Sequence, residues 1–309
     1  MDLETANAPR RLAREGYEAW YLTCHIPGEG IGFWIRYTTF SPGPRSEAES
    51  HAALWAFSFD RGDPGRNTAA KETYPLTAAE FKRPFSLRIG TAELHGGWCR
   101  GAAGDARWEL AWEVQAVAFP YLAAPWDRLA AQGNAASQPR LLISGTIAIG
   151  GREHILNRAP GGQQHTWGAT HALEWNWAHA AGDWGWLAGA GGRVRSRLGR
   201  VLRGTSLGAS VGGREFARNS VPGVLRGAGL LSPEGWRADL GRLRLEVRPR
   251  PADLIGVTYD DPAGGCRVCY HTEVADLLLS LDGQEVKEEA AAAFEYASPD
   301  PLPSLPPRI

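Results

Sequence analysis

Residues 162–180, GQQHTWGATHALEWNWAHA, decide how the rest of the chain is interpreted, because they hold three tryptophans and three histidines in nineteen positions. An extended strand places alternate side chains on opposite faces. On a strand, His171, Trp175 and Trp177 share one face, and Glu174 and Asn176 share the other. A helix would scatter these residues around its circumference. The pattern therefore predicts a strand with one aromatic face and one small or polar face.

The same period of two runs through most of the chain. It predicts strands at residues 17–25, 31–40 and 51–60 in the first half. In the second half, Gly212 and Gly213 separate two alternating runs and predict a tight hairpin, because glycine accepts positive φ. About eight short strands in each half are typical of a sandwich or an antiparallel barrel. Helix is predicted only at 77–82 and 126–132, whereas 189–203 favours neither state.

The composition excludes several classes of protein. A net charge of -1 gives no reason to expect a nucleic-acid partner. No apolar leader opens the chain and no eighteen-residue apolar run follows, so we expect a cytoplasmic protein. Four cysteines are too few for a disulfide scaffold. Thirteen tryptophans instead indicate large apolar interiors or aromatic-lined cavities.

Two interpretations of the tryptophan strand stay open. In one, Trp175 and Trp177 pack in a core, as buried aromatic residues usually do. In the other, Glu174 and Asn176 point into a cavity beside His165 on the neighbouring strand. A carboxyl group in an aromatic pocket has a raised pKa and can donate a proton. His165 and Glu174 are therefore the candidate catalytic residues.

A second candidate group lies on the first predicted hairpin. Glu18 shares a strand face with Trp20, and Arg36 shares one with Trp34. One hypothesis makes Glu18 and Arg36 a buried ion pair in the barrel, tolerated because both partners are present. The other has Arg36 bind the carboxylate headgroup of a lipid. All four residues are candidates for substrate binding.

An ordered set of short motifs resembles a known superfamily. EAWY (18–21), FWIRYT (33–38), SGTIAIGG (144–151), HTWG (165–168) and WNWAH (175–179) follow one another as in the carotenoid 1,2-hydratases and tocopherol cyclases. That superfamily also contains lipocalin-like Diels–Alderases. The resemblance covers roughly residues 17–180, and it reaches the second half only through its strand pattern.

The resemblance implies a fold and a domain division. It implies two tandem lipocalin-like antiparallel β-barrels with an elongated apolar cavity, which we place at residues 17–182 and 183–298. Residues 299–309 then form a proline-rich tail. Known members act on large hydrophobic molecules without a redox cofactor, so we expect no cofactor here.

The resemblance also implies site residues. His165 and Trp167 match the histidine and tryptophan that the hydratase branch uses in acid–base chemistry. The Tyr-x-Asp pair of that branch has no counterpart downstream, which weakens a hydratase assignment. With His171, Trp175, Asn176 and Trp177, Trp167 completes the predicted substrate-binding set.

Three functions remain open. The first is a cofactor-independent enzyme that hydrates, cyclises or isomerises an isoprenoid, carotenoid or polyketide-like molecule, loaded through a transient contact with the membrane surface. The second is a non-catalytic carrier or sensor of hydrophobic ligands. The third is an interaction protein whose barrels are filled by tryptophan side chains.

No metal site is predicted. Cys266, Cys269 and His271 resemble half of a zinc site, but residues three apart on a strand point to opposite faces. No second pair of ligands follows at zinc-site spacing.

Overall fold

The period-two segments form antiparallel strands, and the fold is all-β. The computed structural model describes residues 2–11, 14–126, 132–195, 199–227 and 229–309. In these ranges the chain forms two large antiparallel sheets, one of which nearly closes into a barrel. The predicted fold class is confirmed.

The first sheet contains the strands of the N-terminal half and wraps into the barrel. Its described strands are β1 (Gly16–Ile26), β2 (Ile31–Ser41), β3 (His51–Asp60), β4 (Thr68–Pro75), β5 (Ala79–Lys82), β6 (Ser86–Ile89), β7 (Ala92–His95), β8 (Trp98–Ala103), β9 (Ala106–Val114), β10 (Phe119–Pro120), β11 (Gln132–Ile149) and β12 (Arg152–Gly168). They are arranged in the order β4-β3-β2-β1-β12-β11-β9-β8-β7-β6-β5, with β10 paired to β11.

The second sheet contains the remaining strands. They are β13 (Glu174–Gly182), β14 (Gly185–Arg195), β15 (Val201–Val211), β16 (Arg214–Arg218), β17 (Trp236–Asp239), β18 (Leu243–Arg248), β19 (Ile255–Asp260), β20 (Cys266–Leu281) and β21 (Gln284–Ser298). The order is β16-β15-β14-β13-β21-β20-β18-β17, with β19 paired to β20. As predicted, Gly212 and Gly213 form the β15–β16 hairpin turn with positive φ.

The passage between the sheets falls earlier than the predicted domain boundary. The chain leaves the first sheet at Gly168 and enters the second at Glu174. The tryptophan strand β13 therefore opens the second sheet, hydrogen-bonded to β14 and β21. The division into domains at residue 182 stays a prediction.

Apolar side chains fill the space enclosed by each sheet. Trp20, Phe33, Tyr37 and Trp108 belong to the core of the first sheet, and Trp236 belongs to that of the second. Close packing of this kind is expected of protein interiors. The apolar cavity that the resemblance implies therefore lies between the two sheets and not inside a barrel. Bulky aromatic residues from successive strands occupy the space that a lipocalin ligand would need.

A third apolar cluster joins the two sheets. It consists of the outward-facing residues of the first sheet and the facing residues of the second, including Tyr21, Trp34, Phe57, Trp177 and Tyr259. These side chains alternate along their strands with those of the sheet cores, so each of these strands is buried on both faces. The junction between the sheets is therefore a continuous apolar layer.

The helix predicted at 77–82 is not found, whereas Trp126, the first residue of the second predicted helix, is helical. Residues 77–82 form part of a short 3₁₀ turn, Leu76–Ala78, followed by strand β5. Residues 127–131 of the second predicted helix lie outside the described residues. The ambiguous segment 189–203 contributes to the paired strands β14 and β15. Alternation with cross-strand neighbours overrode the local helix preference.

Two described helices and both chain ends complete the fold. Helix α1 (Leu3–Asn7) is capped by Asp2, whose Oδ1 accepts from Thr5 N at 2.8 Å. Helix α2 (Val221–Arg226) follows β16. The proline-rich C-terminus runs beside β19, where Thr258 N donates to Ile309 O at 2.7 Å.

Candidate active site

A cavity of about 460 Å³ lies at the junction of the two sheets. This volume is in the range of small-molecule sites. Its walls are mostly apolar, with several aromatic rings and a few polar groups. Its aromatic and charged lining residues include Tyr17, Tyr21, Trp34, Arg36, His171, Trp175, Trp177, Tyr259 and Glu295.

The mouth of the cavity lies at the ends of β14 and β15 and at α2. Leu202 and Leu225 line it and are partly exposed, at 38% and 49% of their surface. Arg195 and Arg203 stand beside them. An apolar opening with a basic rim suits the entry of hydrophobic molecules. The proposed contact with a membrane surface stays a prediction.

A row of side chains crosses the second sheet on the face toward the cavity. Trp177 on β13 pairs with Glu295 on β21, which pairs with His271 on β20. Directly opposed residues of antiparallel strands share a face. The row therefore reaches from the cavity wall at Trp177 and Glu295 into the buried junction at His271.

His271 lies between two carboxyl groups. Its Nε2 is 2.9 Å from Glu273 Oε1, and its Nδ1 is 3.2 Å from Glu295 Oε1. Glu295 also accepts from Trp175 Nε1 at 3.2 Å. His271 and Glu273 are buried, whereas Glu295 reaches the cavity. The three groups form a chain of hydrogen bonds with one end in the cavity, which we call the Glu–His–Glu relay.

The pKa values of the relay diverge. Burial lowers the pKa of His271, but hydrogen bonds to Glu273 and Glu295 and their charges outweigh it and raise the pKa to about 9. Burial raises the pKa of Glu273 to about 7, although His271 opposes the rise. For Glu295, burial is outweighed by His271 and Arg36, and the pKa falls below its ordinary value. At neutral pH the relay therefore holds a proton on His271 beside an ionised Glu295.

Arg36 faces the cavity from β2 without an ionic partner among the described residues. The side chain is 6% exposed and its Nε has no hydrogen-bond acceptor. Its guanidinium carbon lies 4.5 Å from the Tyr259 ring centroid and 5.4 Å from that of Trp34. The two rings therefore hold the cation.

Gln164 connects three aromatic residues on another wall of the junction. Its Oε1 accepts from Trp177 Nε1 at 3.0 Å and from Tyr121 Oη at 2.8 Å. The Tyr21 hydroxyl lies at 3.5 Å. These bonds fix the orientation of the Trp177 ring against the cavity.

The structure places His165 and Glu18 together, but away from the cavity. His165 Nε2 is 2.9 Å from Glu18 Oε1, and its Nδ1 is 2.8 Å from Ala6 O. Glu18 also accepts from the backbone N–H groups of Arg10 and Arg11. This pair closes one end of the barrel under the N-terminal segment, and its polar atoms face protein partners.

The predicted ion pair between Glu18 and Arg36 was wrong. Arg36 is directly opposite Tyr21 across β1 and β2, whereas Glu18 is opposite Thr39. Glu18 and Tyr21 are three residues apart on one strand, so Glu18 and Arg36 point to opposite faces of the sheet.

Four other predicted residues also lie outside the cavity lining. Glu174 pairs with Arg193 at 3.2 Å, and Asn176 holds the backbone of Ser232 on both its donor and acceptor sides. Trp20 stacks on His165 with ring centroids 4.6 Å apart, and Trp167 lies on that ring at 4.8 Å. The cavity therefore faces the aromatic side of β13, not the side of Glu174 and Asn176.

Five predicted residues do line the cavity: Trp34, Arg36, His171, Trp175 and Trp177. The relay residues were missed. A signal for them was present, because His271 and Glu273 are two apart on a strand and Glu295 stands alone in the apolar run AAAAFEYA. Without the strand register these residues gave no indication of lying together.

The described residues contain no group of three or more His, Cys, Asp or Glu side chains arranged to hold a metal ion. Cys266 is exposed and Cys269 is buried. The two thiols therefore point to opposite faces of β20, as their spacing predicts. In the same part of the chain, helices of the length and apolar character needed to cross a bilayer are absent.

Comparison with known proteins supports the fold across both sheets. The chain is similar to a solved protein of Nitrosomonas europaea that carries the provisional name AttH, with a TM-score of 0.61, 14% identity and 92% of each chain covered. It is also similar to the kievitone hydratase of Nectria haematococca, with a TM-score of 0.56, 7% identity, and 92% of this chain and 89% of that chain covered. These likenesses show the fold and are consistent with the superfamily that the motifs resemble.

Sequence comparison extends the similarity to mycobacteria. Two uncharacterized proteins of Mycobacterium tuberculosis, MT0513 and Rv0493c, are each 26% identical to this chain over 301 residues. The alignments cover 92% of this chain and 88% of each relative. No family model matches the chain.

Proposed function

We propose that this protein is an enzyme that catalyses proton transfer on a hydrophobic small molecule bound between the two sheets. The Glu–His–Glu relay carries the proposal, because it ends at Glu295 in the wall of a largely apolar cavity. A purely structural ion pair does not require that one of its carboxylates line a cavity, as Glu295 does. Perturbed titratable groups in a cleft are candidates for acid–base chemistry.

The relay contains both a base, Glu295, and a proton donor, His271. Glu295 is ionised at neutral pH and can accept a proton from the substrate or from a water molecule. His271 carries a proton next to Glu295 and can return one through the same carboxylate. Glu273, with a pKa of about 7, holds the imidazole in place and stabilises its charge.

The aromatic walls fit the same chemistry. Protonation of an alkene produces a carbocation, and the face of an aromatic ring stabilises a cation by about 0.5–2 kcal/mol. Trp34, Trp175 and Trp177 present such rings around the cavity. Acid-catalysed hydration, cyclisation and isomerisation of a double bond each need a proton donor and a group that stabilises the cation. The fold is shared with a kievitone hydratase, and we propose a reaction of this class that uses side-chain groups without a redox cofactor.

A carrier of hydrophobic ligands is the second candidate. The partly exposed Leu202 and Leu225 at the mouth favour it, since apolar entry and aromatic walls suffice for binding. The third hypothesis, an interaction protein without room for a ligand, is disfavoured by the cavity between the sheets.

Incubation of the protein with cell lipid extract in D₂O tests the proposal. We expect a hydrophobic molecule to gain deuterium, or the mass of one water, and to be identified by mass spectrometry. Glu295→Gln should slow that conversion by about 10²–10⁴-fold, the usual contribution of a general base. Glu285→Gln, an exposed change on the same strand, is the matched control. Retention of a ligand by wild type without any isotopic or mass change would favour the carrier.

A further inference from the structure

The cavity contains a buried cation, Arg36, that forms no direct ion pair among the described residues. Only 6% of the Arg36 surface is exposed, and its guanidinium forms no ion pair in the part of the chain that the structure describes. Arginine stays protonated in proteins, so burial does not neutralise it. Burying a charge without a partner costs free energy, so buried charges in proteins are usually paired. Here the open side of the guanidinium is the cavity itself.

Within the described ranges, two neighbouring polar groups on the same wall have no nitrogen or oxygen partner. Trp34 Nε1 has no hydrogen-bond partner, and Tyr259 Oη has no nitrogen or oxygen partner among the described residues. Both residues line the cavity and bracket the Arg36 guanidinium with their rings. The Arg36 guanidinium, whose Nε has no acceptor in the described part of the chain, is complementary to a group that only accepts.

The carboxylates around the cavity are already engaged. Glu295 is bound by His271 and by Trp175. Asp261 is bound by Arg267 at 3.4 Å and by the backbone N–H of His171. Neither forms an ion pair with Arg36, so the guanidinium fork stays available to a ligand.

From this arrangement we propose that the substrate is an amphiphilic carboxylate, with its carboxylate on Arg36 and its apolar body between the tryptophans and the mouth. A planar carboxylate matches the guanidinium fork with two parallel hydrogen bonds, which a neutral headgroup does not provide. The inference rests on the proposed function, because it assigns the substrate class of the same cavity. It also orients the molecule, with the headgroup end at Arg36 and the tail toward Leu202.

A matched pair of ligands tests the proposal by calorimetry. Dodecanoate and dodecanamide have nearly the same shape and differ in charge. We expect wild type to bind dodecanoate at least about tenfold more tightly, as one charge-assisted bidentate contact predicts. Arg36→Met should reduce that preference to less than about twofold while it keeps the apolar contacts. Arg36→Lys should give an intermediate preference, because lysine is a point charge without the fork.

Arg107→Met is the control, because Arg107 is an exposed arginine on β9 outside the cavity. It should keep the wild-type preference, and circular dichroism should show each variant folded. Equal affinity of wild type for the two ligands, or an Arg36→Met protein that still prefers dodecanoate, would overturn the inference. Binding is measured without turnover, so the two proposals fail separately. A charge preference without catalysis counts against the enzyme alone, and catalysis without a charge preference counts against the carboxylate alone.

Discussion

His165–Glu18 and His271–Glu295 are two buried histidine–carboxylate pairs with opposite surroundings. In the first pair, backbone N–H groups of Arg10 and Arg11 occupy the carboxylate and aromatic rings cover the imidazole. In the second, the carboxylate reaches a cavity of about 460 Å³. The contrast teaches that a buried pair becomes a candidate for chemistry only when one of its polar groups meets space for a ligand.

The His165–Glu18 pair should contribute mainly to stability. Glu18→Ala leaves His165 Nε2 and two backbone N–H groups buried without partners. We expect the free energy of unfolding to fall by about 3–5 kcal/mol, as when one partner of a buried pair is removed. Urea denaturation measures the loss. Glu295→Gln should lose less, because its amide oxygen still accepts a hydrogen bond, and a reversed order of the two losses would break the comparison.

The packing of the first sheet against the relay can be tested at one glycine. A Cβ on Gly32 of β2 would come within 2.5 Å of Glu273 Cβ. Gly32→Ala should therefore cost about 1–3 kcal/mol of stability through overpacking and shift the relay. Gly97→Ala is the control, since a Cβ there meets nothing within 4 Å. Thermal denaturation of both variants measures the difference. Equal melting temperatures would show that the close approach of Gly32 to Glu273 does not affect stability.

Activity should depend on pH through the relay and not through the His165–Glu18 pair. His271 has a pKa of about 9, so the active protonation state is lost as pH rises through that value. Glu273→Gln removes one of the two carboxylates that raise this pKa, and the alkaline limb should move down by about one pH unit or more. A pH–rate profile measures the shift. Glu18→Gln should leave the limb in place, and a similar shift in both variants would contradict the assignment.

The free energy of unfolding should also depend on pH in the acid range, through buried histidines outside the relay. Burial lowers the pKa of His171 to about 3 and that of His179 to about 4. Between pH 6.5 and 4 the unfolded chain therefore binds protons that the folded chain does not bind. The stabilisation is complete above pH 6.5 and is lost as the pH falls toward 4. Burial also lowers the pKa of His25 to about 4, so the raised pKa of Glu273, which acts in the opposite sense below pH 7, offsets one proton against three.

His179→Gln isolates one of these protons. His179 lies 2.9 Å from both Thr23 Oγ1 and Pro139 O, so it joins β13 to the first sheet in its neutral form. The variant should lose some stability at neutral pH. Its dependence on pH should be shallower by about 1.4 kcal/mol per pH unit between 6.5 and 4. Unfolding curves over this range measure the slope, and an unchanged slope would show that His179 is protonated in the folded chain.

Part of the candidate site could be predicted from the sequence. Trp34, Arg36, Trp175 and Trp177 were found because large aromatic residues and a lone arginine on apolar strands are conspicuous. His165 and Glu174 were misplaced as cavity groups for a related reason. Alternation shows which residues share a face, but it does not show which face meets a cavity and which meets packed protein.

The sequence by itself determined the all-β class, most strand positions and the hairpin at Gly212 and Gly213, because alternation and turn chemistry act over a few neighbouring residues. Only the tertiary structure decided that both sheet interiors are filled and that the space for a ligand lies between them. It also decided the register that places Glu295 beside His271, 24 residues away along the chain. Such pairings depend on how strands align and sheets pack, and those interactions join residues that no local pattern connects.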